Sequence, residues 1–195
     1  VKAHKERRHT MYSLSVPKEN SLSKSKDIEI EIKRMMDTYG NDVLRTAYMF
    51  LKDYHKAEDA FQEVFIKVFH KYGSFKGESS EKTWIIKITI NTCKDILRSA
   101  WLRRVNLTDT IVNEDSNPGV ESRIIKSEEN RLLFHEVISL KPAYKEVVIL
   151  YYYQDYDTLQ ISKILNIPEG TVRSRLYRAR EILKTKLEGR VDLNG

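Results

Sequence analysis

Apolar residues return at three- and four-residue intervals through most of this chain, the spacing that lines one face of an α-helix. Residues 1–26 lack that pattern. The first ten precede Met11, and the stretch to Lys26 is rich in Ser and Lys, so a disordered tail or upstream extension is expected there. Order is expected from about Asp27, which caps a helix running to Tyr39; Gly40 ends it, and a second helix turns Val43, Ala47, Tyr48 and Leu51 inward. His55 to Tyr72 carries the clearest stripe: Phe61, Val64, Phe65, Val68 and Phe69. The loop GSFKGESSEK (73–82) leads to a long helix, Thr83 to about Arg103, with Trp84, Ile85, Ile88 and Ile96 as core. From Val105 to Ser122 the periodicity stops. That stretch holds four acidic residues, no Lys or Arg, and Pro118-Gly119, and it reads as a linker. Two amphipathic helices follow, Arg123 to about Leu140 and Pro142 to Tyr153; Pro142 sits in the first turn of the second, and Tyr144, Val147, Val148 and Tyr151 form its stripe.

The stretch 157–186, DTLQISKILNIPEGTVRSRLYRAREILKTK, predicts two short helices with a tight turn. Asp157 and Gln160 are spaced as a capping box. Ile161, Ile164 and Leu165 share one face, Asn166 stands where a left-handed residue ends the helix, and Pro168 opens the next. In the second helix Val172, Leu176, Ala179 and Leu183 make one buried stripe. Arg173, Ser174, Tyr177 and Arg178 lie opposite, flanked by Arg175 and Arg180, and six Lys/Arg face two Glu between Glu169 and Lys186. A helix-turn-helix lays its second helix in the major groove with donors toward base edges and phosphates. A solvated basic face on an ordinary helical hairpin is the plainer reading; the joint cap, turn and stripe-plus-donor pattern favours DNA. The expected architecture is therefore all-α: one helical domain over 27–104, a flexible acidic linker over 105–122, and a second domain over 123–189 that contains the helix-turn-helix.

Composition sharpens this. The chain has 195 residues, 41% hydrophobic and 32% charged, with net charge +6 and a pI near 9.2, which points to a polyanionic partner. The single cysteine, Cys93, excludes an internal disulfide and any multi-cysteine zinc site, and its apolar neighbours predict a buried, inert thiol. The five histidines (4, 9, 55, 70 and 135) form no ligand-spaced pair, so no metal is expected. No apolar run reaches the length of a membrane span and no signal peptide is visible, so a cytoplasmic location without membrane insertion is expected. Phosphate-cradling, nucleophile-elbow and metalloprotease motifs are lacking, so neither catalytic residues nor a cofactor are expected, and the chain does not read as an enzyme.

Two further surfaces draw interest. Glu58, Asp59, Gln62 and Glu63 give one helix an acidic, amide-bearing face in a basic protein. Such faces are usually only solvated, but carboxylates repel DNA, so a partner here would be a protein. Near the 73–82 loop, Phe75 and Trp84 are suited to stack on unpaired bases, and Lys87, Asn91, Lys94 and Arg98 lie at helical spacing to track a backbone. On this segment alone, a core tryptophan and solvating lysines explain as much.

AEDAFQEVF (57–65), FKGESSEKTW (75–84), INTCKDILR (90–98) and ILNIPEGTVRSRLYRARE (164–181), in this order, resemble an extracytoplasmic-function sigma factor, the small two-domain class of bacterial transcription initiation factors. The likeness spans about Asp27 to Glu188. It implies that the first domain binds core RNA polymerase and the melted −10 element, that the second binds the duplex −35 element, and that an anti-sigma factor regulates the protein. By the same resemblance Asp59, Gln62 and Glu63 match polymerase-binding positions. Phe75, Trp84 and Asn91, with Lys87 and Arg98 beside them, match the −10 region; Arg173, Ser174, Tyr177 and Arg178, joined by Thr171 and Arg175, match the −35 region. Two departures stand out: Asn166 replaces a usual glycine and Ser162 a usual alanine, and both keep the turn feasible. The competing readings are a helix-turn-helix repressor or activator that works without integral polymerase binding, and a basic helical adaptor that binds no DNA.

Overall fold

The computed structural model describes residues 19–106 and 128–191, which form seven helices. The expected tail up to residue 18, and residues 107–122 of the expected linker, lie outside the described residues. Among the described residues there is no strand, as the helical spacing predicts.

The first unit is α1 (Glu19–Leu51), α2 (Tyr54–Lys71) and α3 (Glu81–Asn106), with a short 3-10 turn, Tyr72–Ser74, after α2. The expected break at Gly40 is absent: α1 runs as one helix of 33 residues straight through it. Here glycine serves packing. A Cβ at Gly40 would lie 3.3 Å from Cε2 of Phe61, so the missing side chain lets the α2 ring sit close against α1. The helix also begins at Glu19, earlier than the expected Asp27. At the α1–α2 corner Lys52 takes a left-handed φ of 58°. Asp53 then caps α2 by accepting from the Lys56 backbone N–H at 3.0 Å. Met35, Val43, Val64, Phe65, Val68 and Ile85 form a core inside this unit.

The second unit is α4 (Glu128–Ser139), α5 (Pro142–Val148), α6 (Thr158–Leu165) and α7 (Glu169–Val191). Pro142 occupies the first turn of α5, where its missing N–H costs nothing. The α5 helix continues into one π-helical turn, Ile149–Tyr153. That wider turn shifts the side-chain phase so that Tyr152 faces solvent while Gln154 is buried. The turn at Asp157 closes as expected: its carboxylate accepts from the Gln160 N–H at 2.7 Å, and the Gln160 side chain accepts from the Asp157 N–H at 3.0 Å. Asn166 adopts φ 54°, the left-handed conformation that ends α6. Ser162 donates to the Ile167 carbonyl at 2.6 Å, so the hydroxyl that departs from the usual alanine is satisfied inside the turn. Val172, Leu176, Ala179 and Leu183 are all buried.

The two units are not independent bodies. One continuous apolar cluster runs from Ala47, Tyr48 and Phe50 of α1 and Ile86, Ile90 and Cys93 of α3 to the core of the second unit. The Tyr48 and Phe134 rings stack at 6.0 Å. Lys145 reaches across to donate to the Phe50 carbonyl at 2.9 Å, and Gln154 Nε2 donates to Thr46 Oγ1, also at 2.9 Å. No described helix is long and apolar enough to cross a membrane.

Candidate functional site

The buried stripe of α7 fixes which side of that helix faces outward, and Arg173, Ser174, Tyr177 and Arg178 are all exposed there. Tyr177 is 64% exposed, a large aromatic surface without a partner in the core. Thr171 and Arg175 are half-buried at the edges of this face. Glu169, in the first turn, accepts from the Thr158 hydroxyl at 2.6 Å and from Arg173 Nη2 at 2.7 Å. The Thr158 hydroxyl first, and then the Arg173 guanidinium, hold the Glu169 carboxyl below its ordinary range. Glu169 thus ties the start of α6 to α7 and orients the fork of Arg173; its spacing of four residues from Arg173 is the sequence signal for that pair. Arg178 has no ion-pair partner among the described residues.

Arg180, two residues on, is held differently. Its Nε donates to the Tyr152 hydroxyl at 2.7 Å, and its guanidinium lies over the Tyr151 and Tyr152 rings at 5.6 and 5.8 Å. The π-helical turn that exposes Tyr152 makes this contact possible, and the run of three tyrosines gave no sign of it.

On α3, Trp84, Lys87, Asn91, Lys94 and Arg98 follow one another at helical intervals and form one face. Phe75 stacks on Trp84 with ring centres 4.8 Å apart, so the loop aromatic and the helix aromatic form one half-buried platform. Ser80 caps this end by accepting from the Thr83 N–H at 3.1 Å. Asn91 is exposed; Arg98 is exposed and pairs with Asp95 at 3.0 Å. Lys87 and Lys94 meet the second unit: Lys87 Nζ lies 3.4 Å from the Lys163 carbonyl, and Lys94 pairs with Glu146 at 3.1 Å.

On α2, Asp59, Gln62 and Glu63 are exposed. Asp59 and Gln62 line a groove with Leu44, His55, Glu58 and Phe61, an apolar floor under an acidic and amide rim. Glu63 pairs with Lys67 at 2.7 Å, which turns it toward α3 rather than into that groove. Cys93 is fully buried, and burial pushes its thiol up to about 12, so it stays protonated and inert.

Comparison with known proteins follows this division. The Sigma-70 region 2 family matches residues 35–103, and the Sigma-70, region 4 family matches residues 132–183. The ECF RNA polymerase sigma-E factor of Haemophilus influenzae is 31% identical over 166 residues, covering 79% of this chain and 86% of that protein. The ECF RNA polymerase sigma factor SigW of Bacillus subtilis is 28% identical over 164 residues, covering 78% and 87%. Among solved structures, the sigma factor RpoE in complex with the anti-sigma factor NepR from Bartonella quintana aligns with a TM-score of 0.66 at 20% identity, covering 81% of this chain and 97% of that one. CnrH in complex with the cytosolic domain of CnrY aligns with a TM-score of 0.62 at 15% identity, covering 87% and 95%.

Proposed function

The chain belongs to the extracytoplasmic-function RNA polymerase sigma factors, and on that premise we propose how its surfaces divide the work. As a sigma factor it binds core RNA polymerase and brings it to promoter DNA; bond making is left to the polymerase. The first unit, about residues 27–104, docks the polymerase through the acidic face of α2 and holds the melted −10 element along α3. There Phe75 and Trp84 supply stacking surface, and Lys87, Asn91 and Arg98 supply donors. The second unit, about residues 123–189, lays α7 in the major groove of the −35 element. Arg173, Ser174, Tyr177 and Arg178 face the bases, with Thr171 and Arg175 at the edges. Residues 105–122 join the two.

The observation that carries this reading is the separation of charge by face. A basic protein presents Glu58, Asp59 and Gln62 around an apolar groove on α2, where DNA would be repelled, and exposed arginines on the helix that can enter a groove. A helix-turn-helix repressor needs the second surface and leaves the first without purpose. The two similar structures were solved with an anti-sigma factor and with the cytosolic domain of CnrY, and we carry over to this chain an inhibitory protein partner of the same kind. Polymerase and promoter place its action in the cytoplasm.

The experiment is assembly of the full chain with core polymerase, with Asp59, Gln62 and Glu63 replaced together by Ala. Weaker assembly with undiminished binding to −35 duplex is expected, because neither α7 nor its core is touched. Unchanged assembly would remove the patch from the mechanism.

A further inference from the structure

Arg173 and Arg180 of α7 are both held in place, but by partners of different charge. Arg173 is held by the Glu169 carboxylate at 2.7 Å. Arg180 Nε donates to the neutral Tyr152 hydroxyl, and its guanidinium faces the Tyr151 and Tyr152 rings. Its two Nη groups make no hydrogen bond or ion pair among the described residues. A carboxylate orients a guanidinium and offsets part of its charge. A phenol hydroxyl and two aromatic faces orient it and leave the charge whole, with both Nη groups free for an anion.

Position identifies the anion. Arg173, Tyr177, Arg180 and Lys184 stand at i, i+4, i+7 and i+11 and form one exposed ridge of α7. Seven residues of α-helix put Arg180 about 10 Å along the axis from Arg173. The major groove is about 12 Å wide. With the N-terminal half of α7 over the bases, Arg180 meets the groove wall, which is phosphate. Tyr152 comes to Arg180 from the π-helical turn after α5, a rare geometry that concentrates at functional sites. Its neighbours Tyr151 and Tyr153 pack against the apolar cluster, whereas Tyr152 takes no part in it and is 50% exposed.

We propose that Tyr152 is a positioning residue for DNA binding: with Tyr151 beside it, it presets the Arg180 guanidinium to grip one backbone phosphate at the edge of the −35 element. The ligand is a phosphodiester, so the grip is blind to sequence. The proposal rests on the placing of α7 in the major groove made above. A free arginine loses rotamer freedom when it binds, and one already resting on the tyrosines has less to lose. The gain is in affinity, and discrimination between bases is left to the rest of the helix.

The test is binding of the full chain to two labelled duplexes at several salt concentrations. One duplex is taken from upstream of a start site mapped with core polymerase, and the other is its scrambled counterpart. Tyr152→Phe keeps the ring and removes only a hydroxyl at a half-exposed position. It is expected to weaken binding to both duplexes about three- to tenfold, the cost of ordering one long side chain, and to leave their ratio unchanged. Arg180→Ala should flatten the salt dependence by about one unit of slope. In the Arg180→Ala background Tyr152→Phe should cost nothing further, an outcome that a tyrosine acting only on the fold would not give. No loss from Tyr152→Phe, or the same loss with and without Arg180, would overturn the proposal. So would a loss confined to the promoter duplex, which would make the hydroxyl a reader of bases. If the unaltered chain binds both duplexes equally, base reading by α7 fails, and the coupling of Tyr152 to Arg180 still decides the grip. If it binds neither, both fall.

Discussion

Lys145 is a buried lysine on α5, between Tyr144 and Glu146 in the chain, and it forms no ion pair among the described residues. Its ammonium donates to the Phe50 carbonyl, and burial lowers it from the ordinary lysine value to about 8. Lys52, beyond the end of α1, lowers it further, while Cys93 of α3 and Glu146 on its own helix act the other way. The sign follows. Below pH 8 the folded chain carries the charge at full cost; between that value and the ordinary one it releases the proton earlier than an exposed lysine would. Stability therefore gains from this group as pH rises through that window, by up to about 1.4 kcal/mol per pH unit. Lys145→Met is expected to remove that gain. The difference between wild-type and variant denaturation free energies should change from pH 8 to pH 10, and a difference constant with pH would show that Lys145 is not buried. Nothing in the sequence marked this residue: stripe logic assigns lysine to solvent, and only the second unit's docking on Phe50 takes it inside.

At the scale of elements, the helix-turn-helix was legible almost residue by residue, because its determinants are local. A capping box, a left-handed Asn and a four-residue stripe act within one or two turns of themselves. Gly40 was not legible, since whether a glycine breaks a helix or makes room depends on what packs against it, and Phe61 lies 21 positions on. The same limit hid Tyr152, 28 positions before the Arg180 that it orients, and the Thr158 contact of Glu169, whereas the pairing of Glu169 with Arg173 is local. Those contacts yield distinct expectations for α7. Arg173→Ala and Arg178→Ala should each cost roughly 1–3 kcal/mol of discrimination between cognate and altered −35 duplexes. Arg180, pinned to the aromatic pair at the edge, should behave as a phosphate contact. Its loss should weaken all duplexes alike and flatten the salt dependence by about one unit of slope. Titration of each variant against cognate and scrambled duplexes at several salt concentrations separates these. Equal losses on both duplexes for Arg173→Ala and Arg178→Ala would mean that this face grips DNA without reading it.

At the scale of the molecule, the sequence divides into two helical stretches around an acidic gap, and that division led to the expectation of two separate domains joined by a flexible linker. The helices do fall on either side of the gap, but the units share one apolar cluster, which independent domains would not. That closure depends on pairings between residues about a hundred positions apart, such as Thr46 with Gln154, and no periodicity reports them. Charge, by contrast, was readable at this scale: an acidic groove on a chain of net charge +6 implies one partner that is not nucleic acid. Both surfaces converge on one claim, that this chain gives core polymerase its choice of promoter. The most direct measurement adds the full chain to core RNA polymerase and maps transcript 5′ ends on genomic DNA of the source bacterium. Discrete start sites that core polymerase alone does not use are expected, diminished when Asp59, Gln62 and Glu63 are replaced together. Start sites unchanged from core alone, from a chain that still binds duplex DNA, would contradict that claim and leave a helix-turn-helix regulator in its place.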